Sequence, residues 1–503
     1  MRSAPDDTRL ALGQQAVTAV LWTAGQKWVA RIGGFVTIAI LARLLAPAEF
    51  GTVAAATAVL PIAYLLADMG FSTYVVQARE ASARMLSTAF WFSVTAGLVL
   101  AAALLVAAPL FAAIFRTPEA ADVVRALAPL VVLVSLSSVS VALLRRHMRF
   151  RALAVQSFIA SIAGQACAII MAFAGFGVWS LVAQMLLFQV ITTIYACSAA
   201  RWLPKLQFST AEFHRMASFG MKVVGVDLIG VLRQWAEYAI IAAFLGTTGL
   251  GYLSVAQRLV QIAQDVTAAA VLPVTTVVFA RIRTEPERLR SGYFRALGMT
   301  YAVVVPVMVF LTVSAPQLVP LLFGAQWAES IGVAQVLGCV GILTMVAMLD
   351  HGLFYGVGRP GTWFVFAVIV DVATIVVALF TASHGLVVWA LGFLGIAVVS
   401  TLVRQPLVCR LLEARWTMIG SVSARGVLCA LVAAAFGVAV AFATAGWWPL
   451  LSIAAIGVGV MLGHLGGMRL FLRAELNDIN RLVHARLWRS GRERSTADEA
   501  VNS

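Results

Sequence analysis

Long apolar runs separated by short polar connections fill the chain from about residue 20 to about residue 470. A helix needs about 20 apolar residues to cross the hydrocarbon core of a bilayer. Fourteen runs meet that length: 20–42, 51–71, 87–111, 123–143, 153–174, 178–199, 219–244, 250–272, 296–316, 331–349, 363–382, 385–407, 425–445 and 447–470. They leave no stretch for a soluble catalytic domain. The pattern predicts an all-α polytopic membrane protein. The first run holds Lys27 and Arg31 in its middle and lacks a short apolar core ending in a small-residue cleavage site, so it reads as a span and not as a signal peptide.

The connections divide the chain. Spans 1 and 2 meet at the tight turn Leu45-Ala46-Pro47-Ala48-Glu49-Phe50-Gly51, and spans 5 and 6 at Gly175-Phe176-Gly177. The polar segment 201–222, opening Arg201-Trp202-Leu203-Pro204-Lys205, reads as a cytoplasmic linker. The chain then restarts. Ala42, Leu45, Gly51 and Ala56 recur as Ala242, Leu245, Gly251 and Ala256, two hundred residues on and at the same place in the second pair of helices. Both first helices start on the same side, so the repeat is parallel, with its axis along the membrane normal. This predicts an N-terminal lobe at 1–200, a C-terminal lobe at 223–410, a cleft between them, an appended helix pair at 411–472 and a cytoplasmic tail at 473–503.

Composition adds the orientation. Hydrophobic residues make up 61% of the 503 and charged residues only 12%, against about 25% charged in an average soluble domain. The net charge of +14 would suit nucleic acid, but its distribution excludes that partner. Most Lys and Arg lie in even-numbered connections, in Arg145-Arg146-His147-Met148-Arg149-Phe150-Arg151, and from Arg201 to Lys222, Arg281 to Arg295 and Arg404 to Arg425. By the positive-inside rule these connections and both termini are cytoplasmic. The five cysteines show no CxxC or metal-ligand spacing and read as small buried residues.

Charges left inside spans carry the candidate chemistry, because charge at membrane depth is expensive and faces a protein interior or a water-filled cavity. Lys27 and Arg31 share one face of the first helix, four residues apart. In span 8, Gln257, Arg258, Gln261, Gln264 and Asp265 fall on one face. Span 7 adds Asp227, Arg233 and Glu237, the last two spaced to pair with each other. Cations in a cavity suit a phosphate or pyrophosphate group. Lys27, Arg31, Arg258 and Arg233 are therefore the candidate anion ligands, with Gln257, Gln261 and Gln264 as polar lining. A carboxylate at low dielectric exchanges a proton or binds Na⁺, which makes Asp265, Asp227 and Glu237 the coupling candidates. No other cofactor is implied. Asp350, beside His351, reads as a boundary residue, and the six histidines, mostly at span ends, as interfacial. No Walker A loop, zincin helix or GxSxG elbow occurs, so enzyme chemistry is not expected.

At this point a resemblance enters. LARLLAPAEFG, LLADMGFSTYVVQ, LSTAFWFSV, RRHMRFRALA, GFGVWSLVAQ, FLGTTGLGYLSVAQRL, FGAQWAES and GVGRP, in that order over residues 15–410, resemble the polysaccharide transporter family. This is the exopolysaccharide and O-antigen flippase (Wzx-like) branch of the multidrug/oligosaccharidyl-lipid/polysaccharide exporter superfamily. The resemblance implies two six-helix lobes around a cleft, usually with two extra helices. It implies alternating-access transport of undecaprenyl-pyrophosphate-linked oligosaccharide across the bacterial inner membrane, with a polysaccharide polymerase and chain-length proteins as partners. It aligns Glu237 with an acidic residue often found before the FLG turn, while Tyr238 replaces a basic neighbour. Lys27 and Arg31 fall where the branch that flips the peptidoglycan precursor carries cavity cations. A cation-coupled multidrug antiporter of the same superfamily is the second reading; it would favour acidic and aromatic linings over paired cations. A membrane polysaccharide polymerase or ligase is the third, and it would need a larger external loop.

Overall fold

The structure, a computed structural model, describes residues 33–473. The described residues are helical with short connections: α1 (Gly33–Leu44), α2 (Pro47–Thr57), α3 (Leu60–Asp68), α4 (Phe71–Gln77), α5 (Ala83–Ile114), α6 (Glu119–Leu127), α7 (Pro129–Arg146), α8 (Phe150–Phe173), α9 (Val178–Ala200), α10 (Thr210–Ile282), α11 (Pro286–Phe323), α12 (Glu329–Gly356), α13 (Pro360–Thr381), α14 (Leu386–Leu412), α15 (Trp416–Ala443) and α16 (Pro449–Phe471). Among them, 12 segments are long and apolar enough to cross a membrane. One, Asp227–Thr267, contains two of the expected spans, because α10 breaks at Gly246 (φ 68°, ψ −175°). The first expected span is described only from residue 33 onward. The chain divides into two compact units, 1–254 and 255–503, with the boundary inside α10.

In the first unit small side chains set the packing. Ala56, Leu60, Ala63 and Ala67 of α2 and α3 meet Ala101, Leu104, Ala108 and Ala112 of α5 at helical spacing. Gly97 of α5 faces Ser135 of α7 so closely that a methyl group there would overlap the serine. Close backbone approach of this kind substitutes in lipid for the hydrophobic drive that joins helices in water. The expected span 51–71 is interrupted near Ala58 and ends at Met69 and Gly70, both left-handed (φ 47° and 72°). Asp68 holds that end: its carboxylate accepts from Ser72 Oγ at 2.7 Å, Ser72 N at 3.3 Å and Ser138 Oγ of α7 at 2.6 Å.

The basic connection 145–151 does more than set topology. Arg146 donates to the carbonyls of Val75 and Arg79, both at 2.9 Å, at the end of α4. Arg149 donates to Ala199 O at 2.7 Å, at the end of α9. A cation at a helix C-terminus satisfies orphan carbonyls and complements the dipole. The segment after α9 is tied to α5, with Trp91 Nε1 donating to Lys205 O (2.9 Å), Lys205 N to Ser87 Oγ (3.0 Å) and Ser209 N to Thr88 Oγ1 (3.0 Å). Helix resumes at Thr210, within the segment read as linker.

In the second unit α11 carries an i, i+4 ridge of Tyr293, Leu297, Tyr301, Val305, Val309 and Val313. The ridge packs with Val346, Leu349 and Leu353 of α12, Val422 and Ala433 of α15, and Ile456 and Val460 of α16. Two sequence readings are corrected here. Asp350 is not a boundary residue and Arg404 does not belong to a solvated connection. Both are 3% exposed. Arg404 Nε donates to Asp350 Oδ2 and Tyr293 Oη to Asp350 Oδ1, each at 2.5 Å. The charges lie one to two turns inside α12 and α14, and long-range pairing of α11, α12 and α14 is what brings them together. His464 is the third correction. It is 2% exposed, its Nε2–H donates to Ala302 O at 2.9 Å, and its Nδ1 is left to accept from Cys429 at 3.3 Å. It joins α16 to α11 and α15 rather than facing an interface.

Removing one partner of a buried ion pair strands the other charge, at a cost of about 3–5 kcal/mol. Arg404→Ala and Asp350→Ala are each expected to lower the melting temperature of the purified protein strongly, while Asp350→Leu/Arg404→Leu recovers most of the loss. A single variant that melts with the native protein would remove the pair from the scaffold.

Candidate functional site

The polar residues of span 8 form one face of the second half of α10. On the opposite side Leu259, Val260, Ala263 and Thr267 are buried, and Thr267 Oγ1 bonds back to Ala263 O. On the polar face Arg258 and Gln261 are exposed, and Gln257, Gln264 and Asp265 are half-buried. Arg258 Nη1 approaches Gln261 Oε1 at 3.5 Å, the long limit of a hydrogen bond. The helix therefore buries its apolar side in its own unit and leaves amides, a guanidinium and a carboxylate on an accessible side. On that side Arg258 and Gln261 are the exposed hydrogen-bond donors.

The first half of α10 carries the span 7 candidates in two places. Arg233 Nη1 donates to Glu237 Oε2 at 2.8 Å, with the arginine side chain 26% exposed and the glutamate 5%. One helical turn separates them, so the pairing is local geometry read directly from the i, i+4 spacing. Asp227 is exposed. It lies about 120° around the helix from Arg233 and about 15 Å along the axis from Glu237, and the structure does not bring it to their pair. Lys27 and Arg31 lie outside the described residues. Among the described residues no three His, Cys, Asp or Glu side chains come together to hold a metal.

The Asp350–Arg404–Tyr293 cluster is the titratable group that sequence reasoning missed. Two charges about fifty residues apart, on different helices, leave no local signal. The available hint was that Arg404 falls within the apolar run 385–407 and not after it.

Comparison with known proteins places this geometry. Residues 40–332 match the family model described as polysaccharide biosynthesis protein. The succinoglycan biosynthesis transport protein ExoT of Rhizobium meliloti (strain 1021) is 30% identical over 370 residues, 73% of this chain and 75% of the relative. The lipopolysaccharide biosynthesis protein WzxC of Escherichia coli (strain K12) is 23% identical, over 78% of this chain and 80% of its own. The teichuronic acid biosynthesis protein TuaB of Bacillus subtilis (strain 168) is 23% identical, over 69% and 73%. Among solved structures, the lipid II flippase MurJ in an inward closed conformation superposes with a TM-score of 0.73 at 15% identity, covering 91% of this chain and 100% of that one. An inward-facing multidrug resistance MATE family transporter of the MOP superfamily gives 0.61 at 17% identity, covering 76% and 96%. At these identities the structural likeness is one of fold, whereas the family model covers more than half of the chain. The chain belongs to the polysaccharide biosynthesis protein family and is a multi-pass membrane protein with the fold of the MOP-superfamily transporters.

Proposed function

We propose that this protein is a flippase for an undecaprenyl-pyrophosphate-linked oligosaccharide. It moves the repeat unit from the cytoplasmic to the outer leaflet of the bacterial inner membrane for exopolysaccharide, O-antigen or another surface polysaccharide. The observation that carries this reading is the 30% identity with a succinoglycan transport protein across about three quarters of both chains. The drug-exporter fold alone does not choose between cargoes, since flippase and multidrug transporter share it. The family match favours the glycan, and cations within the first span disfavour a cationic drug.

In the proposed cycle Lys27, Arg31 and Arg258 bind the pyrophosphate, and the amides Gln257, Gln261 and Gln264 line the path of the sugar. The polyprenyl chain stays in lipid, so only the head group needs the hydrated route, and no covalent bond is made or broken. Binding in a partly dehydrated site strengthens each charge contact relative to bulk water. Arg233 is offset by Glu237. It joins the anion site when Glu237 takes up a proton or Na⁺, which links cargo binding to the coupling ion; Asp265 and Asp227 are the further coupling candidates. Both termini lie in the cytoplasm, and the exported unit passes to a polysaccharide polymerase and its chain-length proteins.

The test uses purified protein in liposomes carrying a fluorescent polyprenyl-pyrophosphate oligosaccharide, with leaflet exchange as readout. Lys27→Ala/Arg31→Ala, inserted and folded like the native chain, is expected to slow exchange by about a hundredfold. Arg258→Gln is expected to slow it by about tenfold, each on the scale of one to two charge-assisted contacts. Native protein that exchanges no lipid under proton or sodium gradients would overturn the flippase reading. Glu237→Gln, which keeps the shape and removes the charge, is expected to retain cargo binding but lose acceleration by an imposed ion gradient. Gradient acceleration equal to native would take Glu237 out of coupling.

A further inference from the structure

The two turns that mark the sequence repeat touch each other through their repeat-equivalent residues. Pro47 opens α2, preceded by Ala46, whose N–H donates to Glu49 Oε2 at 2.7 Å. Thr247 opens the second half of α10 immediately after the Gly246 break. At Gly51 a methyl group would overlap the carbonyl oxygen of Thr247 and stand 3.0 Å from Gly251 N. At Gly251 it would overlap the carbonyl oxygen of Pro47 and stand 3.3 Å from Gly51 N. The contact is thus reciprocal. Residue 51 meets 247 and residue 251 meets 47, as in a two-fold interface where each patch faces its own copy. Both glycines are buried. Each carbonyl lies along a glycine Cα–H direction, the weak contact that recurs where helices approach closely.

We propose that Gly51 and Gly251 are positioning residues for transport and that their contact is the closed outer gate. The inference rests on the flippase reading and on the positive-inside orientation, which puts both turns on the extracytoplasmic side. Its chemistry fits a gate. At the two glycines backbone meets backbone, and the meeting groups are first-turn helix carbonyls that already serve as intrahelical acceptors. Separation therefore strands no backbone donor. Any Cβ at either glycine meets a backbone carbonyl, which cannot rotate away as a side chain can. Because both turns carry the same small residue at the same repeat position, one substitution on either side holds the gate open.

The experiment is pulsed electron paramagnetic resonance on the full chain in liposomes, with its five native cysteines replaced by alanine. Spin labels sit at Glu119→Cys, on α6, which packs on α2, and at Thr248→Cys, in the turn before Gly251; both positions are exposed and lie in the first unit. The chain with both glycines intact is expected to show a short and a long distance population. Gly51→Ala and Gly251→Ala are each expected to deplete the short one at least tenfold and to slow leaflet exchange by a similar factor. Gly437→Ala, at a buried glycine that meets only valine side chains, is expected to leave both populations in place. Unchanged distances in a folded Gly51→Ala chain would overturn the gate. So would a single distance in the chain with both glycines intact, under every ion gradient and with cargo present. These distances are read without any flipping assay, so failure of the gate is distinct from failure of the transport reading.

Discussion

Hydrocarbon provides no solvent for a charge or an unpaired backbone group, and the arrangement of polar residues in this chain follows from that. Asp350 is tolerable deep in the second unit because Arg404 and Tyr293 occupy both its oxygens. Asp68 is tolerable where α3 breaks because two serines and a backbone N–H meet its carboxylate. Glu237 is almost fully covered, and Arg233 one turn away neutralises it. Each of these three enclosed carboxylates comes with a partner, and where the partner lies on another helix, as for Asp350 and Asp68, it holds the two helices in register.

The exposed side of α10 stands apart from this rule. Arg258 and Gln261 face outward from their unit, opposite the buried row Leu259, Val260 and Ala263. A helix in a membrane protein that keeps a guanidinium and amides on an accessible face is placed at water or at a polar cargo. Asp350 is held by Arg404 and Tyr293 inside the bundle, whereas the exposed Arg258 makes one long contact, with Gln261 at 3.5 Å.

Small residues supply the second theme. Ala56, Ala63, Ala101 and Ala108 let helices of the first unit approach closely, and Gly51 and Gly251 carry the same principle to backbone contact. Between helices already surrounded by lipid, close approach gains packing that larger side chains would prevent.

The sequence by itself determined the all-helical membrane architecture, because run length and polarity are local properties that the bilayer reads directly. It determined the Arg233–Glu237 pair and the polar face of α10, because residues three or four apart must share a helix side. It also marked Gly51 and Gly251 as equivalent through their common offset. Only the tertiary structure decided that those glycines meet each other, that Asp350 finds Arg404 and Tyr293 on two other helices, that His464 is interior, and that Cys339, against the reading of the cysteines as buried, is exposed. It likewise showed Arg146 and Arg149 capping the ends of other helices. The reason is physical. Helical periodicity fixes which side of a helix a residue occupies but not which helix will face it. That choice is made by the packing of whole helices, to which residues far apart in sequence contribute together.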